Sequence, residues 1–180
     1  MMSPLRSLTF LICLFAGIAP AVAENLPIEA FFGRWSGSAV GQSVTTSTMG
    51  YGARDLDVTI SGTVEGFDIT WITVIKPSGV EPDSDGHRRA STASFLRRGP
   101  SSFEAKGAQG VGPGKSYSWA RIEERSLIVY VFEIDGDGVY DLSRYVRTIS
   151  DSGIMDLSFT RNRDGATVRR VTGNLLPAND

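Results

Sequence analysis

Pro27-Ile28-Glu29-Ala30-Phe31-Phe32-Gly33-Arg34-Trp35-Ser36-Gly37-Ser38-Ala39-Val40 is the stretch whose reading decides the fold. Proline suits the first position of a helix and glycine the position just past its end. Pro27 and Gly33 therefore bracket a helix of two turns at most, and Arg34–Val40 follows as a first short strand. No later segment carries a helical period.

Strand patterns fill the rest of the chain. Arg54–Ile60 alternates, with Leu56, Val58 and Ile60 on one face and Asp55, Asp57 and Thr59 on the other. Gly66–Lys76, His87–Arg98, Ser102–Gly107, Ser116–Glu123, Leu127–Ile134, Val139–Ile149, Ile154–Arg163 and Thr167–Leu176 follow. Turn residues at Gly62–Glu65, Asp135–Gly138, Asp151–Gly153 and Asn162–Ala166 join neighbours closely enough for antiparallel pairing. About ten strands in this order predict an all-β, up-and-down antiparallel barrel with a short N-terminal helix, whose closure removes the sheet edges.

Upstream, Arg6 precedes an apolar run from Leu8 to Ala19, Pro20 breaks it, and Ala21-Val22-Ala23 forms a small-x-small cleavage pattern. This reads as a secretory signal peptide over residues 1–23, with a single barrel domain over 24–180 and a secreted, periplasmic destination. The run is shorter than the ~20 residues a spanning helix needs, and no second long apolar run follows.

The whole chain has 180 residues, a formal net charge of −2, one Cys and one His. Cys13 lies within the signal segment, so a processed chain would have no disulfide. A Cys/His zinc site is excluded by count. Loss of Arg6 would leave 17 basic against 20 acidic residues, which gives no electrostatic footprint for nucleic acid.

Phe31-Phe32-Gly33-Arg34-Trp35 resembles the Gly-x-Trp opening of the calycin superfamily, the lipocalin-like and avidin-like barrels. In that superfamily a short helix leads into the motif, the Trp plugs the closed end, and an Arg from a late strand packs on it. The resemblance assigns the closing roles to Gly33 and Trp35, with Arg161 or Arg163 as the arginine. A guanidinium over an indole contributes roughly 0.5–2 kcal/mol. Arg54-Asp55-Leu56-Asp57-Val58, Gly66-Phe67-x-Ile69-x-Trp71 and Trp119-Ala120-Arg121-Ile122-Glu123 are also similar to a group of secreted proteobacterial proteins.

A ligand cavity should mix aromatic walls with a few polar groups. Taking the aromatic face of each strand as inward gives Trp71, Tyr117, Trp119 and Tyr140 as walls, beside Phe67 and Ile69. Arg121 and Arg144 share those faces and could meet an anionic group. The competing expectation is a filled core whose arginines pair across strands. The tandem pairs Arg88-Arg89, Arg97-Arg98 and Arg169-Arg170 put one Arg on each side of their strand and read as solvated strand ends. The connector Gly41–Ala53 would overhang the mouth of such a barrel, bringing Met49 and Tyr51 near a ligand.

Other chemistry is poorly represented. Glu81–Asp85 imitates the start of a calcium loop but has Thr92 where the bidentate Glu belongs, and Asp135–Asp137 is followed by Val139 and Tyr140. His87 stands at a loop edge. Gly110–Gly114 lacks the Lys-Ser/Thr ending of a phosphate loop. No nucleophile elbow or metal-protease motif occurs, and an enzyme would have to use a carboxylate such as Glu123 or Asp141. No cofactor can be read. The leading expectation is a barrel that binds a small apolar or amphiphilic ligand. The alternative is a solid scaffold that docks a protein partner, such as a protease or an envelope-assembly factor, through its loops.

Overall fold

The computed structural model describes residues 24–43, 50–75, 87–108 and 110–178. The expected signal segment, Met49 and Glu81–Asp85 lie outside them. A single 3-10 turn, Ile28–Phe31, leads into ten strands: β1 (Gly33–Ser43), β2 (Gly50–Gly62), β3 (Gly66–Ile75), β4 (His87–Arg97), β5 (Ser102–Ala105), β6 (Ser116–Glu123), β7 (Ser126–Ile134), β8 (Tyr140–Ile149), β9 (Met155–Arg163) and β10 (Ala166–Pro177). Each pairs antiparallel with the next, and β1 pairs with β10, so the sheet closes into an up-and-down barrel. β1 and β2 extend beyond the expected strands, into the segment read as a connector. No helix among the described residues is long and apolar enough to cross a membrane.

Gly33 makes the join between the 3-10 turn and β1. Its φ of 125° is one that L side chains rarely adopt. The turn then folds under the barrel: Ile28 and Phe31 are fully buried, and the Trp35 Nε1–H donates to the Phe31 carbonyl oxygen at 3.1 Å. The Leu26 N–H donates to the Glu124 carbonyl, tying this cap to the β6–β7 turn.

Above the cap, inward residues from most strands fill the lower lumen. Ile60, Phe67, Ile69, Phe95, Phe103, Leu127, Met155 and Leu175 are all buried. Phe67 stacks on Phe95 and meets Phe103 edge-on, each with ring centres 5.0 Å apart. Aromatic pairs of this geometry add about 0.5–1.5 kcal/mol beyond their burial.

Arg161 does not reach Trp35. Its Nε and Nη2 donate to the two Asp141 oxygens at 2.9 and 2.8 Å, at the other end of the barrel. It stands across from Arg169 and Ser143 in the register, whereas Trp35 stands across from Val58 and Pro177. The carboxylate captures the guanidinium more strongly than an indole face would. The barrel is thus closed by Trp35 and the 3-10 turn, without an arginine cover among the described residues.

Phe67→Ala is expected to lower stability by about 3–5 kcal/mol, because the ring contacts two others in a sealed layer. Urea unfolding followed by far-UV circular dichroism measures this.

Candidate functional site

Alternation along each strand decides what enters the lumen above the phenylalanine layer. β2 sends in Val58, Leu56 and Arg54. β3 sends in Trp71, Thr73 and Ile75. β4 contributes Ser91 and Arg89, β8 Arg147 and Tyr145, β9 Leu157 and Phe159, and β10 Val171 and Arg169. Together these fourteen residues line a cavity of about 260 Å³. That is just below the ~300–1,000 Å³ of drug-sized ligand pockets, so the space suits a ligand of modest size.

The apolar wall is a chain of rings. Tyr145 lies 4.6 Å from Phe159 and 5.9 Å from Trp71, between ring centres. Trp71 is on β3 and Tyr145 on β8, so this last contact spans the lumen rather than following the sheet.

Four arginines complete the lining, and none of the fourteen residues is acidic. None of the four takes part in an ion pair among the described residues. Arg147 is only 3% exposed, and its Nε and Nη1 have no hydrogen-bond partner. Burial lowers its pKa to about 10, and the Tyr145 ring, 5.7 Å from its guanidinium carbon, is its near neighbour. The buried Nε of Arg54 is likewise unpartnered. Gly41 gives that guanidinium its room: a Cβ there would lie 2.6 Å from its Nη2. Burial and then the charge of Arg169 lower the Arg54 pKa; burial and then Arg89 lower that of Arg169.

Of the six ligand-site candidates, the structure places only Trp71 in the lumen. Tyr117, Trp119, Arg121, Tyr140 and Arg144 face outward, which corrects the expected inward face of β6 and β8. The inward residues of β6 are Ala120 and Ile122, packed beside Phe103, Leu127 and Val129. Outside, Trp119 stacks on Tyr130 with ring centres 4.8 Å apart and planes 8° from parallel, and Tyr117 lies 5.7 Å beyond Trp119. Arg121 covers Tyr130 at 5.6 Å and pairs with Glu123 at 2.6 Å. The Tyr117 hydroxyl donates to Glu104 at 3.0 Å, which lowers the Glu104 pKa together with Arg98 and raises that of Tyr117. Tyr140 lies beside Phe132, and Arg144 lines a separate hollow with Asn25, Glu123 and Ile128.

Sequence reasoning missed Arg54, Tyr145 and Arg147, and assigned Arg89 and Arg169 to solvated strand ends. The signal was present in two of the tandem pairs, Arg88-Arg89 and Arg169-Arg170, since neighbours on a strand point to opposite sides. Arg88 and Arg170 face out while Arg89 and Arg169 face in.

The candidate catalytic carboxylates are engaged elsewhere. Asp141 is bound by Arg161, which holds its pKa below the usual value with help from Arg163. Glu123 pairs with Arg121 on the outer surface. Asp135 accepts from the backbone N–H groups of Asp137 and Val139 and from Arg163, so it organises its own turn. No group of three or more metal-ligating side chains occurs among the described residues.

Neither the family models nor the curated proteins give a match to this chain. Among solved structures, the S-type phycobiliprotein lyase CPES from Guillardia theta matches with a TM-score of 0.56, covering 85% of this chain and 91% of that one at 7% identity. The two share the lipocalin-like barrel fold.

Arg147→Met is expected to stabilise the ligand-free protein by about 1–3 kcal/mol, the ordinary cost of an unsatisfied buried polar group. The sign follows from linkage. A folded pKa below the unfolded one penalises folding at all pH values below about 10 and less as pH rises through it. The stability gap between variant and wild type, read from urea midpoints, should be full at pH 7 and narrow above pH 10.

Proposed function

We propose that this chain is an exported binding protein that holds a small amphiphilic anion in its barrel and performs no chemistry on it. The Arg147 guanidinium, whose Nε and Nη1 lack a partner among the described residues in a cavity lined by four arginines and no acid, is the observation that carries the reading. A buried cation without a counter-charge is costly. A ligand carboxylate or phosphate would supply the missing acceptor through charge-assisted, bidentate hydrogen bonds. Trp71, Tyr145 and Phe159 offer the surface for its apolar body. A lyase built on the same barrel is consistent with ligand handling by such a lumen. The N-terminal segment, with its apolar run and Ala-Val-Ala site, supports export to the periplasm.

Titration of the processed chain with decanoate should give a saturable change in tryptophan emission. Trp71→Phe should abolish the signal while calorimetry still detects binding. Tyr117→Ala and Arg144→Ala, on the outer face, should change affinity by less than about 2-fold, as expected of residues that do not touch the ligand. Absence of saturable binding by decanoate, decanedioate, decyl phosphate and decanol would overturn the reading.

A further inference from the structure

The lumenal arginines are not one cluster. The register places Arg54, Ala39, Gly173, Leu157 and Arg147 in one row around the wall. Four inter-strand steps separate the two arginines, about 19 Å along the sheet at ~4.8 Å a step. In a ring of ten strands that puts them on nearly opposite walls. The residues between them in the row carry no polar side chain.

The electrostatics divide in the same way. Arg169 acts on Arg54, and Arg89 and the Asp141-bound Arg161 act on Arg169, so Arg54, Arg169 and Arg89 are linked on β2, β10 and β4. Among the described residues no cation acts on Arg147, and the Tyr145 ring lies 5.7 Å from its guanidinium carbon. Tyr145 stands between the two sets, one inward position above Arg147 on β8 and within the field of Arg147 and Arg169, with Glu133 and Arg161 acting on it more weakly from nearer the mouth. A ligand with a single anionic group would compensate one set and leave the other bare.

We infer that the ligand carries two anionic groups at opposite ends of an apolar body, one bound by Arg147 and the other shared by Arg54, Arg89 and Arg169. This rests on the lumen being the ligand site and specifies what the ligand must bear. The body lies along the Trp71–Tyr145–Phe159 rings. The chemical class is an apolar or aromatic dicarboxylate, or its equivalent with phosphate at both ends. Arg54 finds its place because Gly41 leaves the adjoining wall bare.

The test compares decanedioate, decanoate, decyl phosphate and decanol by calorimetry on the processed chain. Decanedioate is expected to bind at least ~10-fold more tightly than decanoate, the worth of one further charge-assisted contact. Decyl phosphate, with its charge at one end, should remain near decanoate. Arg147→Gln and the double variant Arg54→Gln/Arg169→Gln should each reduce the dicarboxylate advantage to under ~3-fold, and Arg147→Lys should retain part of it. Circular dichroism confirms that each variant is folded. Equal binding of decanedioate and decanoate, or of decanedioate and decyl phosphate, overturns the two-ended ligand while leaving a lumenal anion site intact. Failure of all four compounds to bind overturns the lumenal site itself.

Discussion

Closure of the sheet imposes the constraint on which everything else rests. With β1 paired to β10 there is no edge, and each side chain of a strand either enters the lumen or leaves it. The bottom of that lumen is sealed by Ile28, Phe31 and Trp35, and the next layer by Phe67, Phe95 and Phe103. Apolar filling could have continued upward. It stops where Arg147, Arg54, Arg169 and Arg89 enter, because charged guanidinium groups cannot pack as a hydrocarbon core. The cavity is therefore a consequence of which side chains alternation sends inward, not of a missing layer.

Those cations oppose the stability of the empty barrel. Proteins that bury a guanidinium ordinarily give it an acceptor, and outside the cavity this chain gives acceptors even to partly exposed arginines. Arg161 has Asp141, Arg98 has Glu104, and Arg125 has the carbonyls of Ile149 and Ser150. In the cavity, Arg147 Nε and Nη1 and Arg54 Nε lack an acceptor among the described residues. A ligand that supplies one would stabilise the fold by mass action, about 2.7 kcal/mol at a hundredfold excess over Kd. Binding of such a ligand would couple to folding through the same unsatisfied nitrogens.

The fold was legible in the sequence to a degree the site was not. Alternation in Arg54–Ile60, the turn residues and the Pro27–Gly33 bracket specify ten antiparallel strands behind a short helical turn. They do so because strand period and turn chemistry are local properties. The inward face is not local. β2 reveals it, since Leu56, Val58 and Ile60 oppose Asp55, Asp57 and Thr59. β6 and β8 conceal it, since Tyr117 and Trp119 outside look more core-like than Ala120 inside. Only pairing with β5 and β7 resolves the ambiguity, and it reverses the aromatic choice. Arg161 was misplaced for a related reason: sequence gives its strand but not which end of the barrel it reaches.

The outer aromatic face shows why abundance of rings is a poor guide to a site. Tyr117, Trp119 and Tyr130 have their faces against one another, and Arg121 covers the last of them. The polar ends are also satisfied: Tyr117 donates to Glu104, and Arg121 is held by Glu123. Such a ladder gains cation–π and stacking energy within the protein itself. Its hydrogen-bonding groups already have the partners a ligand would offer. Inside the barrel the balance is reversed. Trp71 and Tyr145 border open space, and Arg147 Nε and Nη1 and Arg54 Nε have no acceptor among the described residues. What distinguishes the lumen is therefore incomplete chemistry: a set of donors and ring surfaces whose complement is absent among the described residues around them.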